Sequence, residues 1–313
     1  MIESYKTASG TMFQSTIEDF LDVRGAEYQG KVQLVFFSPP FPLNRKKRYG
    51  NLDGDAYLAW LRELAPRLAS LLTPTGSLVV EIGNAWETGK PVMSLLPLRA
   101  LMAIAEDGKM NVCQQFVCHN PARLPSPAEW VTVQRIRVKD SYTHVWWMSR
   151  VEKPYADNRQ VLRPYSRSMQ AVLKAGTYND GKRPSGFDIS PDSFLKDNKG
   201  AIPPNALQFA DQTEDDYDIE SFLSYANTAS NDGYSRYCRE HDFEPHPARM
   251  PAGLPKFFIE MLTKQDDLVL DPFGGSNTTG AVAERLGRRW VAVEPNGDYV
   301  TGSKGRFLSF HSA

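Results

Sequence analysis

Apolar residues gather in four short runs, each ending in an abrupt turn. The first, Lys31-Val-Gln-Leu-Val-Phe-Phe37, gives way at once to Ser38-Pro39-Pro40-Phe41. The second, Ser77-Leu-Val-Val-Glu-Ile82, stops at Gly83. The third, Asp267-Leu-Val-Leu270, leads into Asp271-Pro272-Phe273-Gly274-Gly275, and the fourth, Trp290-Val-Ala-Val293, ends at Glu294. Short runs of β-branched and aromatic residues bounded by Gly and Pro predict strands buried on both faces. Between the first two, Leu58, Leu61, Ala65, Leu68 and Leu72 recur at helical spacing over 55–72. Pro66 interrupts that stretch, and an interior proline costs roughly 3 kcal/mol, so a kink or two helices is expected there. Pro255 suits the first turn of a helix through Phe257, Phe258, Met261 and Leu262, and a further helix is predicted over 278–286. Strand–helix alternation at this spacing implies an α/β fold, a mostly parallel sheet with helices on both faces. The stretch 153–245 breaks the pattern. It is rich in Pro, Gly, Asn and Asp and has poor periodicity, so it reads as a loop-rich insertion or a small separate domain.

Composition adds limits. A chain of 313 residues with 41% hydrophobic and 23% charged residues is globular, and its length suits one large domain carrying an insertion. Three scattered cysteines make neither a disulfide framework nor a zinc ribbon, so no metal site is expected. No apolar run approaches the roughly 20 residues needed to span a bilayer, and MIESYKTASG lacks the pattern of a secretory signal. A soluble protein of a reducing compartment is expected. The net charge of -1 hides an uneven distribution. Residues 206–244 carry ten acidic and two basic side chains, a local charge of -8, which leaves +7 elsewhere. The densest basic run is Arg45-Lys46-Lys47-Arg48. A basic surface with one acidic segment can bind phosphates, because binding follows the local field.

Two turns carry the candidate chemistry. Asp271-Pro-Phe-Gly-Gly-Ser-Asn-Thr-Thr279 follows a strand and opens a helix. Its glycines allow close backbone approach to a ligand, and the helix start offers free N–H groups. It lacks the lysine of a Walker loop, and Gly274, Gly275 and Gly280 have the wrong spacing for a dinucleotide fingerprint. Asp271 at the strand end instead suits a cationic or amino-acid-bearing ligand, and Glu294, ending the next strand, can accept both hydroxyls of a ribose. In Ser38-Pro39-Pro40-Phe41 the prolines stiffen the backbone. A serine hydroxyl and a backbone carbonyl there can accept both hydrogens of one amino group, and Phe41 can stack on a planar base. Each turn alone is equally a rigid connection after a buried strand.

Taken together, SPPF and DPFGGSNTTG resemble the amino-directed DNA methyltransferases that use S-adenosyl-L-methionine. The serine form of the first motif resembles the cytosine-N4 branch. PFPLNRKKRYGN (40–51), LPSPAEWV (124–131), RPSGFDI (183–189), KDNKGAIPPNAL (196–207) and HPARMP (246–251) extend the resemblance to PvuII-type enzymes over nearly the whole chain. The catalytic motif precedes the cofactor motif, as in the permuted beta class. The resemblance implies a Rossmann-like methyltransferase fold with circularly permuted motif order. Its catalytic half would cover 1–152, a target-recognition insertion 153–245, and the cofactor-binding half 246–313. It implies that Ser38, Pro39, Pro40 and Phe41 are catalytic, and that Asp271, Phe273, Gly274, Gly275, Ser276 and Glu294 bind S-adenosyl-L-methionine. His246 resembles the remaining cofactor-side motif and reads equally well as a structural histidine before proline. Asn277 stands where many relatives have Gly; Asn tolerates left-handed backbone angles, so the loop is expected to survive. Arg45, Lys46, Lys47 and Arg48, just after the catalytic turn, are expected to hold the DNA backbone.

The implied activity is methylation of a cytosine N4 amine in double-stranded DNA, in a bacterial or archaeal cytoplasm, within a restriction–modification system whose partner is an endonuclease for the same site. The target atom is inaccessible in a duplex, so the base must flip out, at a cost of a few kcal/mol. Three alternatives stand beside it: adenine-N6 methylation on the same fold, a DNA-binding protein with a dead methyltransferase fold, and an RNA or small-molecule methyltransferase, which the long insertion disfavours.

Overall fold

The computed structural model describes residues 1–40, 54–120, 123–178, 181–182, 184, 186, 188–190, 194–208 and 233–308. The N-terminal segment forms a hairpin of β1 (Ile2–Lys6) and β2 (Gly10–Gln14), followed by α1 (Ile17–Tyr28). Thr16 starts that helix by accepting from the Asp19 N–H. The predicted strands form β3 (Val32–Phe37), β4 (Leu72–Gly83), β10 (Leu268–Asp271) and β11 (Arg289–Glu294). An antiparallel pair, β5 (Asn111–His119) and β6 (Tyr142–Ser149), and the short β9 (Ala206–Gln208) complete one sheet. Its order among the described strands is β1-β2-β11-β10-β3-β4-β6-β5-β9. The segment from β2 to β4 is parallel throughout, and β5 pairs with β9 in the same sense; β1–β2, β4–β6 and β5–β6 are antiparallel.

Helices cover both faces. Strand β3 is buried along its whole length, so alternate side chains serve different layers. Val35 and Phe37 join Phe20 of α1, Leu61 and Leu68 of α2 (Gly54–Leu71) and Ile104 of α3 (Leu96–Asp107) in one core. Phe36 points the other way and meets Phe258 with ring centroids 5.9 Å apart. The one polar residue of β3, Gln33, is buried with its amide fully used: it donates to the Leu262 and Thr75 carbonyls at 3.2 and 3.3 Å and accepts from Thr73 at 2.7 Å.

The expected break at Pro66 does not split the helix: α2 is continuous. Pro66 lies on the exposed side, where Arg62, whose carbonyl loses its donor, is also exposed. Leu61, Leu64, Ala65 and Leu68 therefore stay in a single core across the proline.

The described chain forms two compact units, 1–156 with 205–313, and 157–204. The smaller contains α4 (Arg167–Ala175), capped by Ser166 and ended by a left-handed Gly176, and a short pair of β7 (Gly181–Lys182) and β8 (Asp188–Ile189). The Tyr165 hydroxyl accepts from the Asn198 N–H at 2.8 Å, closing that unit on itself. The larger unit also holds α5 (Gly233–Glu240), α6 (Gly253–Leu262), α7 (Thr278–Arg285) and α8 (Gly297–Ser303). Among the described residues no helix is long and apolar enough to cross a membrane.

Candidate active site

Parallel strands β3, β10 and β11 end at the same edge of the sheet, so the turns after them converge. A cavity of about 340 Å³ opens there. Ser38, Pro39 and Pro40 line one part of it; Asp271, Phe273, Gly274, Gly275, Ser276 and Glu294 line another, with His246 beside them. Turns from opposite ends of the chain thus share one cavity. Phe41, Arg45, Lys46, Lys47 and Arg48 lie outside the described residues.

The Asp271–Gly275 turn is held by its own carboxylates. Asp271 accepts from the Phe273 N–H at 3.0 Å and from the Thr279 hydroxyl at 2.6 Å. Burial pushes its carboxyl up to about 6, against the pull of those two donors. Glu294 reaches across from β11 and accepts from the Gly275 N–H at 3.0 Å, while its other oxygen accepts from the Asn296 N–H at 2.9 Å. Burial raises its pKa as well, and the backbone donors oppose the rise. Two buried acidic groups in a cleft, each with oxygen lone pairs to spare, match a ligand with one cationic group and a diol.

The loop's geometry explains its small residues. Gly275 has a left-handed backbone (φ +49°), and the His246 ring lies about 3.2 Å from where a β-carbon would stand. His246 is therefore packed against the turn itself, edge-on to Tyr299 at 4.7 Å, and its own N–H donates to the Tyr234 hydroxyl at 2.8 Å. Asn277 adopts the left-handed conformation expected of it (φ +54°, ψ +43°). It also does what Gly cannot: its side-chain oxygen caps α7 by accepting from the Gly280 N–H at 3.1 Å, and its amide donates to the Tyr5 hydroxyl at 3.1 Å. The cap requires Gly at 280, because a β-carbon there would lie 2.3 Å from the Asn277 oxygen.

Several residues of the site are hard to single out from the sequence. Arg306 donates to the Ser276 carbonyl at 2.6 Å and to its hydroxyl at 3.0 Å, fixing the loop from outside. Its guanidinium lies 4.8 Å from the centre of the Tyr234 ring, whose hydroxyl serves His246. Phe273 packs on Phe37 and Trp60, both at 5.6 Å, and so ties the cofactor-side turn to β3. Glu81 and Thr143 also line the cavity, and the Thr143 hydroxyl donates to the Glu81 carboxylate at 2.7 Å. Burial raises the Glu81 pKa, while Thr143 and the charge of Arg123 pull it down. The one sequence feature that marks Glu81 is its position, a single acidic residue inside an apolar strand directly before Ile82 and Gly83.

Known proteins resemble this chain along nearly its whole length. A family model described as DNA methylase matches residues 32–305. The Type II methyltransferase M.PvuII of Proteus hauseri is 42% identical over 307 residues, covering 97% of this chain and 85% of that protein. A solved PvuII DNA methyltransferase (cytosine-N4-specific) superposes with a TM-score of 0.74 at 36% identity, covering 99% of this chain and 90% of the other. The DNA adenine methyltransferase YhdJ of Escherichia coli (strain K12) is 44% identical, but over only 59 residues, 19% of this chain and 20% of that protein. A putative DNA modification methylase from Thermus thermophilus, solved with S-adenosyl-L-methionine, shares the fold at 18% identity and a TM-score of 0.54, covering 96% of this chain and 95% of the other.

Proposed function

The chain belongs to the N6/N4 DNA methylase family, and from that footing we propose that it methylates the exocyclic N4 amine of a cytosine in double-stranded DNA. The observation that carries this is the shared cavity, in which the Ser38-Pro39-Pro40 turn faces the same space as Asp271, the glycine turn and Glu294. The residues fit the donor. Asp271 would take the cationic amino-acid end, Glu294 the ribose hydroxyls, and the side-chain-free backbone of Gly274 and Gly275 the body of the ligand, with Phe273 and Ser276 beside it. His246 acts here by packing, holding the Gly275 turn in its left-handed form. S-adenosyl-L-methionine supplies an electrophilic methyl group on a sulfonium.

The rest falls to the protein. The cytosine amine is a weak nucleophile because its lone pair is delocalised into the ring. The Ser38 hydroxyl and the Pro39 carbonyl would accept its two N–H bonds, favouring a pyramidal nitrogen with its lone pair free for in-line attack. Pro40 keeps that turn rigid. Positioning and hydrogen bonds that strengthen as the nitrogen changes shape supply the rate. Glu81 and Thr143 offer polar partners to the remaining edge of the base. Phe41 would stack on the flipped base, worth roughly 1–3 kcal/mol against the cost of extrusion. Arg45, Lys46, Lys47 and Arg48 would hold the phosphates next to it.

Cytosine is favoured over adenine by extent. The N4-specific relative matches 97% of the chain, whereas the adenine enzyme matches only 59 residues. The span 153–245 is assigned to target recognition, with 157–204 as its compact part. The setting proposed is a bacterial cytoplasm, with an endonuclease that cleaves the same site unmethylated. Labelled methyl transfer from S-adenosyl-L-methionine to duplex DNA, strongly lowered by Ser38→Ala, is the expected result. Cofactor binding without transfer to any DNA would instead make this a dead methyltransferase fold.

A further inference from the structure

Strands β5 and β6 are joined not by a tight turn but by a long arm, described over 123–141. Register places its root at the cavity. Cys118 pairs with Thr143 across the two strands, and Thr143 pairs with Gly83 of β4; Thr143 and Gly83 both line the cavity. The root is braced. Arg123 donates to the Tyr142 carbonyl at 3.1 Å, and the Lys139 ammonium to the Arg123 carbonyl at 3.2 Å. Arg137 lies 5.8 Å from the centre of the Trp86 ring and 3.8 Å from Asp140.

The tip is ordered as well. A π-helical turn over Glu129–Val133 is closed by the Gln134 N–H donating to the Glu129 carbonyl at 2.9 Å. The Trp130 carbonyl then accepts from both the Ile136 and the Arg137 N–H, at 3.0 and 3.2 Å, around a left-handed Arg135 (φ +55°). Turns of this kind and strained non-glycine angles persist where surrounding structure enforces them, and they concentrate at functional sites. What the tip presents is unusual for a solvated loop. Val133, Ile136 and Val138 are 67%, 58% and 87% exposed, and Arg135 is exposed among them. Single exposed apolar residues are ordinary, but here three β-branched side chains within six residues of one hydrogen-bonded segment are all left exposed by the described residues.

Their covering partner is indicated by charge and position. Residues 123–140 carry four basic side chains, Arg123, Arg135, Arg137 and Lys139, against two acidic ones, Glu129 and Asp140, a net charge of +2.

 The tip follows directly from the wall of the cavity assigned to the flipped base. Proteins that distort DNA combine basic side chains with apolar wedges that insert between base steps and partly unstack them. We propose that the arm at 123–140 is a DNA-engaging wedge: Val133, Ile136 and Val138 pack into the stack beside the extruded cytosine, and Arg135 takes a flanking phosphate. This rests on the duplex-DNA activity proposed above.

The test uses the whole 313-residue chain with Val133, Ile136 and Val138 all changed to Ser. These side chains are exposed, so the fold and S-adenosyl-L-methionine affinity should be unchanged. Two duplexes carry the modified site, located by mapping methylated positions. In one the target cytosine is paired; in the other it faces an abasic position, so that extrusion is already easy. The expected loss in kcat/KM is about tenfold or more on the paired duplex and about twofold or less on the abasic one. Equal losses on both, or none on either, would overturn the wedge. So would a wild-type dimer that the variant reduces to a monomer by sedimentation, since the apolar tip would then bind a second copy. A wild-type enzyme that methylates neither duplex would instead bring down the activity proposed above, and the wedge with it.

Discussion

Replacing Asp271 by Asn removes a charge from the cavity while sparing its framework. The Asn oxygen can still accept from the Phe273 N–H, and the Thr279 hydroxyl can turn to accept from the new amide. What is lost is one charge-assisted contact to the cationic end of S-adenosyl-L-methionine. A hydrogen bond to a charged group contributes about 1.5–3 kcal/mol, so the affinity should fall by roughly 10- to 150-fold. The pH profile gives a second, sharper readout. The Asp271 carboxyl titrates near 6 in the free protein because burial disfavours its ionised form. Wild-type affinity should therefore fall as the pH drops below about 6 and level off near that of the Asn variant, which should lack that dependence. Stability moves the opposite way. A carboxyl whose folded pKa is raised from 3.8 to about 6 stabilises the fold when protonated and loses that contribution as pH rises through this window, about 3 kcal/mol in all. The ligand-free Asn variant should consequently melt no lower than wild type at a pH of about 7.5. Calorimetric titration across this range, with thermal melts, checks both. Unchanged affinity with an unchanged pH profile would refute the assignment of Asp271 to the cationic group.

Ser38→Ala should lower turnover strongly and leave cofactor affinity nearly intact, because its contact is with the reacting amine; single-turnover kinetics beside titration separate the two. Asn277→Ala should cost about 1–2 kcal/mol in denaturant unfolding, for the lost α7 cap and the left-handed backbone, and Asn277→Gly only a few tenths. Gly280→Ala should be severely disruptive alone and partly rescued by Asn277→Gly, since the added β-carbon would collide with the Asn277 oxygen; melts of the two single variants and the double variant check this. Neutralising Lys46 and Lys47 should weaken binding to specific and random duplexes alike and flatten the salt dependence by about one phosphate per contact; loss confined to the cognate site would mean that they read bases.

Much of the catalytic framework is legible in the sequence. Strands β3, β10 and β11 are mostly apolar runs, broken inside β3 only by Gln33, because burial on both faces leaves little room for polar alternation, and each ends in residues too specialised for an ordinary turn. Asn277 is recognisable as a left-handed position, though its capping of α7 depends on Gly280 one turn later. The N-terminal hairpin and α1 are not legible, since Ile17, Phe20, Leu21 and Gly25 make a weak apolar stripe among charged neighbours. Pro66 misleads because an interior proline weakens a helix, yet here it lies off the buried stripe, which holds α2 together across it. Arg306, Tyr234 and Glu81 escape notice for a different reason: each acts through partners that only the folded sheet edge brings near, as when Arg306 reaches back to Ser276.

The product itself is the most direct test. Duplex DNA methylated by the purified protein, digested to nucleosides and analysed by mass spectrometry, should yield N4-methylcytosine, because a short neutral Ser38 acceptor and the Pro39 carbonyl are proposed to draw a pyrimidine amine into the cavity. N6-methyladenine as the main product would contradict the base assignment and leave the fold and family standing.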